Sequence, residues 1–121
     1  MRSQTQVHHA LALWAADCAE HVLPIFEARH PEDGRPRKAI EATRAWACGK
    51  LRLGEGHAAA LAAHAAAREA ADPAAKAAAR AAGHAFGTAH LIDHAPHAAL
   101  YAASAVAQAA AWELADTVLA E

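Results

Sequence analysis

The chain has 121 residues, a length that fits one domain with a single core. It contains 41 alanines and has a formal net charge of −2, so it lacks the strong basic excess typical of proteins that bind nucleic acid or membrane surfaces. Because alanine is the strongest helix former, the composition predicts an all-α domain over residues 1–121.

The first predicted helix begins at Thr5 and runs to about Val22. Its apolar positions recur at steps of three and four, which is one face of an amphipathic helix: Val7, Leu11, Trp14, Cys18 and Val22. Pro24 lacks a backbone donor and clashes with the preceding turn. We therefore expect the helix to end or kink before Ile25, with a short extra turn up to Arg29.

The second predicted helix runs from about Pro36 to Cys48. Asp33 and Gly34 offer capping and turn chemistry in the loop before it, and proline is favoured at a first helical position. Gly49 follows as the expected stop signal.

The third and fourth predicted helices are separated by a clear boundary. The third opens at Gly54 and Gly56 and continues to Ala71, and the dipeptide at 72–73 then supplies an aspartate N-cap and a first-turn proline. The fourth helix extends to about Asp93. Glycines at 83 and 87 lie on one of its faces, where we expect another helix to approach closely.

The fifth predicted helix runs from Pro96 to about Leu119. Its expected inward positions are Leu100, Ala103, Ala107, Ala110 or Ala111, Leu114 and Val118. Short connections favour a compact bundle of about five antiparallel, alanine-rich helices, with stacked helix pairs as the alternative. We expect most burial energy from the larger apolar side chains: Trp14, Phe26, Ile40, Trp46, Leu61, Phe86, Leu91, Leu100, Tyr101, Trp112 and Leu114.

The two cysteines, Cys18 and Cys48, have no CxxC spacing, so we expect buried, reduced thiols. No segment has the length and uninterrupted apolar character of a membrane span, and the amino terminus does not resemble a secretion signal. The sequence predicts a cytoplasmic protein.

Basic residues are concentrated between positions 35 and 52, which hold six of the eleven in the chain. Two interpretations stay open. The segment is either a solvated helix face or a surface for an acidic partner. In the second case the candidate partner-binding residues are Arg35, Arg37, Lys38 and Arg44.

The histidines are the main candidates for chemistry. His90 and His94 lie four residues apart, and His57 and His64 lie seven apart on the preceding helix. Facing helices of a bundle are able to present such side chains to one metal ion, so these four form a candidate metal set, and structural or capping roles are the alternative. Thr43, Thr88 and Ser104 have no nucleophile context, and we predict neither enzymatic activity nor a cofactor.

Three stretches together resemble the putative immunity protein family with an immunity-protein-five-like domain: LWAADCAEHVLPIFE at 13–27, RPRKAIEATRAWACGK at 35–50 and the alanine-rich run at 62–95. The resemblance implies a small cytoplasmic protein that binds a cognate bacterial toxin. It assigns no role to the positions that carry the pattern, which are Trp14, Asp17, Cys18, His21, Trp46, His64, His84 and His90.

The leading hypothesis is therefore an immunity protein that neutralises a toxin stoichiometrically through a complementary surface. The alternatives are a metal-binding helical bundle that uses the clustered histidines and a homo-oligomeric structural protein, of which a homodimer is the simplest form.

Overall fold

The computed structural model describes residues 3–120 and contains five helices in that range. They are α1 (Gln4–Arg29), α2 (Arg35–Ala47), α3 (Leu53–Glu69), α4 (Pro73–His90) and α5 (His94–Ala120). No strand occurs among the described residues, so the predicted all-α class is confirmed. Connections of three to five residues bring every pair of consecutive helices into contact, and α4 packs against all four other helices.

Local capping chemistry sets several of the helix ends. Ser3 and Gln6 form a reciprocal capping box at the start of α1. The Asp72 carboxylate accepts a hydrogen bond of 3.3 Å from the backbone N–H of Ala75, which confirms the predicted start of α4. Gly49 has φ of 74°, a left-handed conformation suited to glycine, and it follows α2 at the predicted position.

Pro24 does not end α1, so the first of the two outcomes expected from sequence, an ending before Ile25, is wrong. The helix continues to Arg29, and Pro24 lies on its exposed side. The helix buries Val22, Leu23 and Phe26 around the proline. Tertiary packing on the opposite face therefore outweighs the cost of one missing backbone hydrogen bond.

Three other boundaries differ by two or three residues, of which one is the end of the third helix, at Glu69 instead of Ala71. The fourth helix ends at His90 instead of about Asp93, and the fifth begins at His94 instead of Pro96. Pro96 thus lies within the first turn of α5, where its missing N–H would have had no helical partner.

The core consists mainly of alanine. Of the eleven larger side chains expected to supply most of the burial, Phe26, Ile40 and Phe86 are buried and Trp46 is half-buried. The other seven are exposed: Trp14, Leu61, Leu91, Leu100, Tyr101, Trp112 and Leu114. Helices that meet through alanine approach too closely to leave room for bulky side chains between them.

The inward face of α5 is also different from the predicted one. Its buried residues are Ala95, Ala98, Ala102 and Ala105, whereas Leu100, Leu114 and Val118 face solvent. From Val106 onward no described side chain of α5 is buried. The carboxyl-terminal half of this helix therefore adds little to the core.

Candidate functional site

Three helices bring four histidines together, with one imidazole ring at the centre and three around it. His84 of α4 lies 5.0 Å from His64 of α3, 5.2 Å from His94 and 5.4 Å from His97 of α5, measured between ring centroids. Tyr101 stacks on His84 at 5.1 Å, with an interplanar angle of 7°. We call His64, His84, His94 and His97 the histidine cluster.

Two hydrogen bonds connect members of this cluster to each other and to Arg80. Nδ1 of His84 and Nδ1 of His94 are 3.0 Å apart, so one of these nitrogens donates a proton and the other accepts it. The Arg80 guanidinium donates to Nδ1 of His64 at 2.9 Å, which requires that nitrogen to be unprotonated. The cluster therefore needs an unprotonated Nδ1 on His64 and on one ring of the His84–His94 pair.

Burial lowers the pKa of two of the histidines. It is the largest cause for His84, whose pKa falls to about 4, and the neighbouring histidines and Arg80 add to the effect. Burial, followed by the charges of Arg80 and Arg68, lowers the pKa of His64. At neutral pH the two rings act as uncharged polar groups.

The glycines of α4 make room for this cluster. A Cβ at position 83 would lie 2.5 Å from Nε2 of His64, and a Cβ at position 87 would lie 2.8 Å from Cγ of His94. Glycine within a helix costs about 1 kcal/mol relative to alanine. The imidazole rings that pack on them explain why glycine replaces alanine at these two positions of α4. The sequence predicts that another helix approaches this face closely, and the groups nearest to the glycines are histidine side chains of the neighbouring helices.

The four histidines predicted as metal ligands fall into two groups in the structure. His57 and His90 form a separate pair with ring centroids 6.4 Å apart, while His64 and His94 both lie against His84. Within residues 3–120 no group of three or more histidine, cysteine, aspartate or glutamate side chains is arranged to hold a metal ion. His84, which contacts both His64 and His94, is not a member of the predicted metal set, and it lies six residues before His90.

The arginines of the second candidate site form ion pairs within the chain. Arg37 of α2 donates to both carboxylate oxygens of Glu27, at 2.6 and 2.9 Å. Arg44 lies 2.8 Å from Asp17 and 2.9 Å from Glu20. These contacts fasten α2 to α1, and hydrogen bonds from the two arginines lower the pKa values of Glu20 and Glu27.

Arg35 and Lys38 differ in their surroundings. Arg35 makes two contacts of 2.7 Å, one to Asp33 and one to Glu69 of α3. Lys38 is exposed and takes part in none of the ion pairs between described residues. Acidic side chains, some adjacent in sequence and some on other helices, therefore neutralise most of the basic segment, and Lys38 presents the most available charge on α2.

The two thiols have different environments. Cys18 is half-buried, and burial raises its pKa, whereas Cys48 is exposed at the end of α2. The expectation that both thiols are buried is therefore wrong for Cys48. Neither thiol is in a disulfide.

The relation of the chain to known proteins rests on a protein-family model. No curated protein sequence and no solved structure matches the chain. No helix between residues 3 and 120 combines the length and apolar character needed to cross a membrane. The family model described as Imm-5 like putative immunity protein matches residues 1–121, which is the whole chain. The protein therefore belongs to the Imm-5 like family of putative immunity proteins.

Proposed function

We propose that the protein binds a cognate toxin domain and neutralises it stoichiometrically. The observation that carries this proposal is the match of the immunity family model to residues 1–121. An inhibitor of this kind needs a surface that covers a functional part of its target, and a rigid surface loses less conformational entropy when it binds. The four helices that pack around a central α4 provide a support of this kind.

The α2 face, defined as Arg35, Arg37, Lys38 and Arg44, is the partner-binding surface that we propose. Three of these side chains are already ordered by ion pairs within the chain. An acidic partner would meet guanidinium groups with little remaining side-chain freedom and would compete with Glu27, Asp17 and Glu20 for them. The free ammonium group of Lys38 would steer the encounter, which predicts an association rate that falls as salt rises.

The test uses a toxin domain that the purified chain captures from its native cell, with affinity measured by titration calorimetry. Lys38→Glu reverses an exposed charge that has no ion pair to lose, and we expect it to weaken binding about tenfold to a hundredfold. Lys76→Glu is the matched control, because Lys76 is an exposed lysine in the first turn of α4. Equal affinities for the two variants and the unchanged chain would show that the α2 face does not bind the toxin.

A pair of variants separates binding from stability at Arg37. Arg37→Glu alone breaks the contact with Glu27, whereas Arg37→Glu combined with Glu27→Arg restores an ion pair between α1 and α2. If the face binds the toxin, both variants lose affinity although the second keeps its thermal stability. Recovery of affinity in the double variant would mean that Arg37 acts only by holding the two helices together.

A further inference from the structure

Helix α5 has two apolar faces, of which the bundle uses one. The buried residues lie on the inner face: Ala95, Ala98, Ala102 and Ala105. On the opposite side, apolar residues recur at steps of three, four or seven: Leu100, Ala103, Ala107, Leu114 and Val118. We call these five residues the outer face of α5. Leu100, Leu114 and Val118 are 65%, 67% and 61% exposed.

The outer face carries no charge. Between residues 94 and 120 the acidic and basic side chains, histidines aside, are Glu113 and Asp116. At 100° per residue they lie within about 40° of the direction of Ala102, on the inner side of the helix. An uncharged apolar face of this length is as large as the largest apolar patches of typical monomers, which often serve as contact surfaces.

We propose that the outer face binds the same face of a second copy of this chain in an antiparallel, two-fold symmetric pair. The spacing is self-complementary about a point near residue 109. An axis there sets Leu100 against Val118 of the partner subunit and Leu114 against Ala103 of the partner subunit. In the second contact the large side chain of Leu114 meets a small side chain, Ala103 of the partner subunit. This pairing of large with small allows the side chains of the two helices to interdigitate.

The absence of charge on the outer face and the area that this face would bury both agree with a second copy of the chain as the partner. An antiparallel pair opposes the two helix dipoles, and no like charges meet on the outer face. The segment from Leu100 to Val118 is about 27 Å long at 1.5 Å per residue, and half the lateral surface of such a helix amounts to roughly 500 Å² per copy. The total, about 1,000 Å², lies at the lower limit of specific interfaces. The proposal therefore predicts a reversible dimer that forms with rising protein concentration.

Sedimentation equilibrium of the full chain tests this proposal. We expect the mean mass to rise from 12.6 kDa toward twice that value as the concentration increases between roughly 1 µM and 1 mM. Leu114→Glu should hold the protein at 12.6 kDa over the same range. Leu61→Glu is the matched control, since Leu61 is also more than half exposed, at 56%, but lies on α3, and it should leave the association unchanged.

A protein that stays monomeric over the whole range overturns the proposal, and so does a dimer that Leu114→Glu leaves intact. If the chain is monomeric and Leu114→Glu instead reduces binding of the purified toxin domain, the outer face belongs to the toxin and not to a second copy. Circular dichroism confirms that the variant folds, and Leu100→Glu repeats the test at the other end of the outer face.

Crosslinking tests the antiparallel orientation. In a background of Cys18→Ala and Cys48→Ser, one preparation carries Ala107→Cys and another carries Ala111→Cys. An antiparallel pair with its axis near residue 109 joins position 107 of one copy to position 111 of the other, so the mixture should form a disulfide faster than either preparation alone. Faster crosslinking of each preparation with itself would indicate a parallel pair and contradict the proposed symmetry.

Discussion

Helices α4 and α5 are both rich in alanine, yet they occupy opposite environments. Twelve of the 18 residues of α4 are buried, whereas four of the 27 residues of α5 are. The centre of the bundle is thus a helix whose small side chains allow neighbours to approach on every side. In α5 only four of the twelve alanines are buried and six are exposed. Alanine content therefore predicts a helix but does not predict whether the bundle surrounds it.

The largest effect expected from this difference concerns the aromatic side chains of the two helices. Phe86 of α4 is buried against Gly56, where a Cβ would overlap its ring. Phe86→Ala should lower the free energy of unfolding by about 3–5 kcal/mol. Trp112→Ala in α5 should change it by less than about 0.5 kcal/mol, because Trp112 faces solvent. Urea denaturation of both variants measures the contrast, and equal losses would contradict it.

A smaller effect concerns the space beside the histidine cluster. Gly83→Ala improves helix propensity but places a Cβ 2.5 Å from Nε2 of His64, so we expect a net loss of about 1–3 kcal/mol. In α5, Ala115→Leu adds more atoms to an exposed position and should change stability by less than about 0.5 kcal/mol.

A double variant identifies the cause of the loss at position 83. If the His64 ring is the obstacle, Gly83→Ala should become neutral or stabilising when it is introduced together with His64→Ala. A penalty that persists without the imidazole would place the obstacle elsewhere.

The smallest effect is the dependence of stability on pH. The pKa of His84 is about 4 in the folded protein, below the ordinary value of 6.5, so the unfolded chain binds more protons between these values. Stability should therefore fall as the pH is lowered from 6.5 to about 4. Solvent screening of the partly exposed ring limits the contribution to on the order of 1–2 kcal/mol.

Thermal unfolding across this pH range measures the slope. His84→Gln should reduce it, and Ala115→Leu in α5 should leave it as it is in the unmodified chain. If the slope is unchanged in His84→Gln, the acid sensitivity has another origin.

The helices and several of their ends could be predicted from sequence because short-range chemistry determines them. Asp72 caps α4 through a residue three positions away, and Gly49 supplies the left-handed conformation that follows α2. Pro24 is the exception. Val22, Leu23 and Phe26 are buried on both sides of the proline in sequence, and their packing against the bundle stabilises the helix there. A proline inside a helix does lower the stability of that helix, but this cost is smaller than the stabilisation from packing.

The inward face of α5 and the histidine cluster could not be predicted in the same way. Every face of an alanine-rich helix is apolar, and close approach selects the face with the smallest side chains, so Ala98 and Ala102 are buried while Leu100 is exposed. His64 and His84 meet because α3 packs on α4. Likewise, the ion pair of Arg37 with Glu27 follows from helix packing and has no local spacing signal.

Titration of toxin activity tests the proposed function most directly. A toxin domain that the chain captures from its native cell is held at a concentration well above its dissociation constant, and increasing amounts of the purified protein are added. Stoichiometric neutralisation predicts a linear loss of activity that ends at one protein chain per toxin. Full toxin activity at a large excess of the protein, or complete loss at far less than equimolar amounts, would contradict an immunity protein that acts by binding.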